Sequence, residues 1–242
     1  MESAEVLGRT AAVPAVGETM DQFTRSATQE EDVVPGARRA VMFDFGGVLT
    51  TSLLSAFRAF GAAYGDPGLM LRLFGKGERG GELLIALEEG RIRQDEFEVG
   101  FSEILAVHNI EVEPDGLIRR MQAGLRPDPA MIELVASLRS AGRPVGLLSN
   151  SFGDDCYAGF DLHAMFDAVT ISGEIGIRKP SRRAYRIACD NLGVAPEETV
   201  MIDDLEQNIA AAARVGIAGI VHRNADTTRT ELASLLGRVV PA

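Results

Sequence analysis

The chain has 242 residues, 46% of them hydrophobic and 24% charged, enough for one α/β domain with an insertion or for two small domains. A formal net charge of −11 argues against a nucleic-acid backbone or an anionic membrane as the main partner, because both attract basic surfaces. Two cysteines, Cys156 and Cys189, and three scattered histidines, His108, His163 and His222, give no disulfide framework and no histidine metal site, so a reducing cytoplasm is the expected location.

Residues 1–36 mix small, polar and acidic side chains without a sustained period and are expected to form a disordered N-terminal tail. They lack the basic start and apolar run of a secretory signal, and no stretch of the chain is long enough to span a bilayer. Ala40 to Phe43 is a short apolar run, the size of one strand buried on both faces. It stops at Asp44, and Gly46 and Gly47 let the backbone turn sharply there.

From Thr51 to about Leu125 the pattern is helical. Leu53 to Tyr64 places Leu53, Phe57, Phe60 and Tyr64 on one side, and Asp66-Pro67-Gly68 breaks it. Leu69 to Phe74 and Glu82 to Glu89 are short helical patterns separated by the glycine-rich run Lys76 to Gly81. A further helix opens at Gln94 or Asp95, with Phe97, Phe101, Ile104 and Leu105 on its apolar face. This stretch is too long for a simple crossover, so residues 51–125 are expected to be an inserted helical cap subdomain.

Strand and helix then alternate. Asp128 caps a helix with Pro129 at its first position and Met131, Leu134, Val135 and Leu138 on one face, ended by Gly142. Pro144 to Leu148 is a strand ending in Ser149-Asn150, and Ala168 to Ile171 is the next, followed by a loop with Arg178-Lys179-Pro180. A helix runs from about Arg182 to Leu192 and ends at Gly193; the strand Thr199 to Ile202 ends in Asp203-Asp204. Ile209 to Val215 is helix, Ile217 to Val221 strand and Thr228 to Leu236 the closing helix. The alternation predicts an α/β fold, a doubly wound, Rossmann-like parallel sheet formed by residues 37–50 and 126–242.

In such a sheet every strand presents its carboxyl end on the same side. Asp44, Ser149 and Asp203-Asp204 each follow a strand, and Lys179 lies in a loop after another, so three carboxylates, a hydroxyl and an ammonium can share one crevice. Clustered carboxylates repel one another unless a cation is present, and an all-oxygen cluster suits Mg²⁺. An aspartate can attack phosphorus to form an acyl phosphate, while a hydroxyl, a backbone N–H and a lysine stabilise the transferring group.

These residues, in type, order and spacing, resemble the four motifs of a haloacid dehalogenase (HAD) superfamily hydrolase, from about Ala40 to the C-terminus. The helical insert resembles the cap of the subfamily with its cap between the first and second motifs. The wording FDFGGVL, LLSNS, GIRKP and IDDLEQNI is similar to a branch of sugar-phosphate phosphatases and the phosphatase domain of bifunctional epoxide hydrolases. The resemblance implies a Mg²⁺-dependent phosphatase acting on a small phosphorylated metabolite. Asp44 would be nucleophile and metal ligand, and Ser149, Asn150 and Lys179 would hold the phosphate. Asp204 would be the main acidic metal ligand, with Asp203 beside it or acting through water, and the Gly46 carbonyl would face the metal.

Gly46 departs from the family, whose phosphatases usually carry a general-acid aspartate two residues after the nucleophile. General acid catalysis is typically worth about 10²–10⁴-fold. Some members of the branch share the glycine and are regarded as active phosphatases. Two alternatives stand beside the phosphatase: a 2-haloacid dehalogenase, which needs neither acid nor metal, and a catalytically weak protein that keeps the pocket to bind phosphate or a partner. In the cap, Arg72, Lys76, Arg79, Arg91 and Arg93 are candidate contacts for an anionic substrate, or solvated surface charges.

Overall fold

The computed structural model describes residues 38–237. The expected tail, residues 1–36, lies outside them. Within them, strands β1 (Ala40–Phe43), β2 (Val145–Ser149), β3 (Ala168–Ile171), β4 (Thr199–Asp203) and β5 (Ala218–Val221) pair in parallel in the order β3–β2–β1–β4–β5. The sheet grows outward from β1 in one direction and then in the other. β1 therefore lies at the switch point, where an open α/β sheet leaves a crevice beyond its strand ends.

Alternation along β1 sends its side chains into two cores. Val41 and Phe43 pack with Met131, Leu134, Leu138 and Leu232 on one face, and Ala40 and Met42 pack with Ala184, Tyr185, Cys189 and Ala212 on the other. That is why the strand reads as an unbroken apolar run.

Between β1 and β2 stand α1 (Leu53–Ala63), α2 (Leu69–Leu73), α3 (Arg79–Glu88), α4 (Gln94–Val107), α5 (Leu117–Met121) and α6 (Pro129–Ser140). α7 (Leu162–Met165), α8 (Ser172–Ile175), α9 (Arg182–Leu192), α10 (Glu206–Ala213) and α11 (Ala225–Leu236) complete the α-helices. The first five bury a cluster of their own, including Phe57, Phe60, Met70, Phe97, Phe101 and Leu117, into which Phe152 from the loop after β2 is inserted. The chain leaves and re-enters the sheet region side by side, with Thr51 N donating to Arg126 O at 2.8 Å and Asp128 N to Leu49 O at 2.8 Å. No helix among the described residues is long and apolar enough to cross a membrane.

Local signals explain several helix ends. The Asp128 carboxylate accepts from Ala130 N at 3.0 Å and Met131 N at 3.1 Å to open α6, and Gly193, at φ +69°, closes α9. β2 lies one residue later than expected, β4 runs one residue further and β5 starts one residue later, and three helix starts shift by three residues. α3 begins at Arg79 rather than Glu82, so Gly80 and Gly81 are helical rather than loop. A Cβ at Gly80 would lie 2.5 Å from Leu73 O, and one at Gly81 2.7 Å from Gly75 O. These glycines permit close packing, which outweighs their low helix propensity. α10 starts three residues earlier and ends two earlier than expected, and α11 starts three earlier because the Asn224 side chain caps it through Thr227 N at 3.0 Å.

Candidate active site

Four of the predicted residues meet at the carboxyl edge of the sheet. Asp44 leaves β1, Asp203 is the last residue of β4 with Asp204 following it, and Lys179 arrives from the loop ahead of α9. Lys179 Nζ lies 2.7 Å from Asp44 Oδ1 and 2.7 Å from Asp203 Oδ2, with its side chain only 1% exposed. Asp44, Asp203 and Asp204 each offer an oxygen within 4.8 Å of the others.

The three carboxylates differ in what already binds them. Asp203 is fully buried and engaged, accepting from Lys179, from Leu205 N at 2.9 Å and from Asn208 Nδ2 at 2.9 and 3.0 Å. These contacts hold Lys179 against the end of β4. Asp44 Oδ1 accepts from Lys179 and from Phe45 N at 2.7 Å, which fixes the carboxylate's rotation and leaves Oδ2 for other chemistry. Asp204 is half-buried, with its own backbone N–H as a donor.

The charge balance follows. Burial pushes the Asp44 carboxyl up to about 8; Lys179 opposes this, while Asp203 and Asp204 add to it. Burial, followed by Asp203, pushes Asp204 up to about 6. For Lys179 burial works to lower the ammonium, but Asp203 and Asp44 outweigh it and hold it above its ordinary value. One ammonium among three carboxylates leaves an all-oxygen site short of positive charge, a donor set that fits Mg²⁺.

A stability trend follows from the sign of these shifts. Folded carboxyls raised from 3.8 to about 6 and about 8 bind more protons than unfolded ones over that window, so metal-free stability falls as pH rises through it. Mg²⁺ at such a site would bind the ionised forms. The melting-temperature gain on adding millimolar Mg²⁺ is therefore expected to be larger near pH 8 than near pH 5, and a gain independent of pH would contradict this arrangement.

Gly46 and Gly47 have different roles. At Gly46 a Cβ would meet only Leu53 Cβ, 3.9 Å away, and its φ is not positive. Gly47 has φ +81°, and a Cβ there would collide with the Asp204 carboxylate. Gly47→Ala is therefore expected to cost at least about 1 kcal/mol of stability from the left-handed backbone alone, and to weaken Mg²⁺ binding by displacing Asp204. Gly46→Ala should be close to neutral in thermal denaturation, and equal behaviour of the two variants would show that the turn is not built this way.

Ser149 and Asn150 close the site from β2. Asn150 Oδ1 accepts from Lys179 N at 2.8 Å and its Nδ2 donates to Lys179 O at 3.2 Å, so a side chain clamps the lysine-bearing loop to β2. Ser149 is buried, and its Oγ accepts from the Tyr157 hydroxyl at 2.9 Å. Sequence reasoning missed Tyr157 and Asn208. Asn208 stands in the first turn of the helix after Asp203-Asp204, where a polar residue facing the strand end is a usable signal. Tyr157 sits in an irregular loop and gave none.

The helical segment touches the same loops. Glu88 is buried against Arg178 as an ion pair, and its backbone oxygen accepts from Ser151 Oγ and Ser172 Oγ. Gln122 Nε2 donates to Phe152 O at 2.7 Å. Arg72, Lys76, Arg79, Arg91 and Arg93 are all exposed, and the four arginines pair with Asp66, Glu103, Glu89 and Asp95 in turn.

Comparison with known proteins agrees with this geometry. The family model described as haloacid dehalogenase-like hydrolase matches residues 38–216. Acyl-CoA dehydrogenase family member 10 of Mus musculus is 28% identical over 206 residues, which cover 82% of this chain and 19% of the mouse protein. A sesquiterpene phosphatase of Aspergillus oryzae is 26% identical over 202 residues, covering 82% of this chain and 97% of the fungal protein. The chain thus spans about a fifth of the one relative and nearly the whole of the other. A HAD family enzyme of Bacteroides thetaiotaomicron, crystallised as a complex with magnesium and inorganic phosphate, shares the fold with a TM-score of 0.60 at 22% identity, over 77% of this chain and 94% of that one.

Proposed function

The chain belongs to the haloacid dehalogenase-like hydrolases, and on that footing we propose that it is a Mg²⁺-dependent phosphatase that cleaves a small phosphorylated metabolite through an aspartyl-phosphate on Asp44. The observation that carries this reading is the excess of carboxylate around Lys179, with Asp44 Oδ1 pinned and Oδ2 free. A phosphatase among the relatives and a magnesium- and phosphate-bound fold neighbour support it.

In this reading Asp44 Oδ2 attacks phosphorus in line with the leaving oxygen. Lys179, the Ser149 hydroxyl and the Asn150 backbone N–H hold the phosphoryl oxygens. Asp203 keeps Lys179 charged and placed. Asp44, Asp204 and the Gly46 carbonyl would hold Mg²⁺, which neutralises charge on the phosphoryl group when bound. Residues 51–125 serve as a lid whose inner surface selects the leaving group, anchored to the loop that follows Ser149 and to the loop that carries Lys179. The free thiols Cys156 and Cys189 fit a reducing compartment, and we place the protein in the cytoplasm.

Turnover of aryl phosphates is expected to vanish with chelator and return with Mg²⁺, and Asp204→Asn to weaken metal binding. Chelator-insensitive turnover of a 2-chloroacid, with no phosphate ester cleaved, would move the assignment to a dehalogenase.

A further inference from the structure

Tyr157 lies in the loop between β2 and α7 and makes contact with two parts of the site at once. Its ring meets Phe45, the residue directly after Asp44, edge-on at 4.8 Å and 75°. Phe160 packs on Phe45 as well, at 4.9 Å and 76°. Packing alone therefore fixes the ring against the nucleophile turn, at a separation typical of favourable aromatic pairs. The hydroxyl does a separate job. It donates to Ser149 Oγ at 2.9 Å, a normal O–H···O bond.

That bond decides where the Ser149 proton goes. One lone pair of Oγ is occupied by the phenol. Among the described residues the serine's own proton has only the Asn150 carbonyl, 3.4 Å away, which is too long for a strong bond. Ser149 is 2% exposed, so bulk water offers little competition. A hydroxyl rotor usually turns to suit its partners; here the phenol restricts the choice and keeps the proton available to an arriving acceptor. Burial above all holds the phenol over its ordinary value, so it remains a donor at working pH.

We propose that Tyr157 is a positioning residue for phosphoryl binding: by donating to Ser149 Oγ it turns the Ser149 O–H toward the phosphoryl oxygens. The inference rests on the phosphate-holding role given to Ser149 above. Its chemical content is one hydrogen bond to one hydroxyl, separable from the ring's packing by Tyr157→Phe.

The test is a double-mutant cycle with p-nitrophenyl phosphate and Mg²⁺, using the wild type, Tyr157→Phe, Ser149→Ala and the double variant, with inorganic phosphate as competitive inhibitor. Tyr157→Phe should lower kcat/KM by about tenfold, on the scale of one hydrogen bond, and weaken phosphate inhibition by a similar factor, while the melting temperature falls by no more than the loss of one hydrogen bond entails. In the Ser149→Ala background the same substitution should change either quantity by less than about twofold, because its only route of action is gone. Equal losses in both backgrounds, or no loss in the otherwise wild-type chain, would overturn this inference while leaving Ser149 in its role. A Ser149→Ala variant with full activity would overturn that role, and this inference with it.

Discussion

Asp44→Asn is expected to lower turnover by at least about 10⁴-fold, the scale seen when a covalent nucleophile is removed, while the protein stays folded. The amide oxygen of Asn can still accept from Lys179 and from Phe45 N, which now hold Asp44 Oδ1 at 2.7 Å each. Only the nucleophilic oxygen and the charge are lost. Burial opposes ionisation of Asp44 strongly enough to push it up to about 8, so a neutral isostere removes a cost that the folded wild type bears without metal. The metal-free variant should therefore melt no lower than the metal-free wild type near pH 8, and Mg²⁺ should stabilise it less. Thermal denaturation with and without Mg²⁺, beside steady-state kinetics, checks both halves. A variant that retains a tenth or more of wild-type turnover would show that another group attacks phosphorus.

Gly46→Asp is expected to raise turnover of simple alkyl phosphates by about 10²–10⁴-fold, the usual contribution of general acid catalysis, with a much smaller gain on aryl phosphates of acidic phenols. The wild type has no proton donor at this position. Its rate should depend steeply on leaving-group pKa, since an alkoxide departs unprotonated only with difficulty. The turn has room for a Cβ and a backbone open to aspartate: the nearest atom to a Cβ at Gly46 is Leu53 Cβ at 3.9 Å, and its φ is not positive. The strict glycine is Gly47, next to Asp204. A folded, Mg²⁺-binding Gly46→Asp variant with no selective gain on alkyl phosphates, alongside a flat leaving-group dependence in the wild type, would mean that a donor already exists elsewhere.

The core strands and the site's membership could be read from sequence because their causes are local. β1 and β3 run over the residues expected, and α9 has the expected bounds, since apolar runs and a closing glycine such as Gly193 act within a few residues. Asp44, Lys179, Asp203 and Asp204 could be grouped because parallel strands leave no choice of edge. What stayed hidden depends on packing across the chain. Gly80 and Gly81 read as loop, yet they sit in α3, where the close approach of Leu73 O and Gly75 O leaves no room for a Cβ. The four-residue helices α7 and α8 are shorter than any period can register. Spacing cannot tell Asp203 from Asp204, whereas the pairing of Asp203 with Val221 turns one inward to Lys179 and leaves the other beside Gly47.

The covalent step tests the central proposal most directly. Wild-type protein with Mg²⁺ and a labelled aryl phosphate, quenched in acid during the first turnover and digested, should yield a phosphorylated peptide containing Asp44. That label should be absent with chelator and absent from Asp44→Asn. Sustained phosphate release with no phosphorylated peptide at any time point, or a label on a residue other than Asp44, would contradict an aspartyl-phosphate on Asp44.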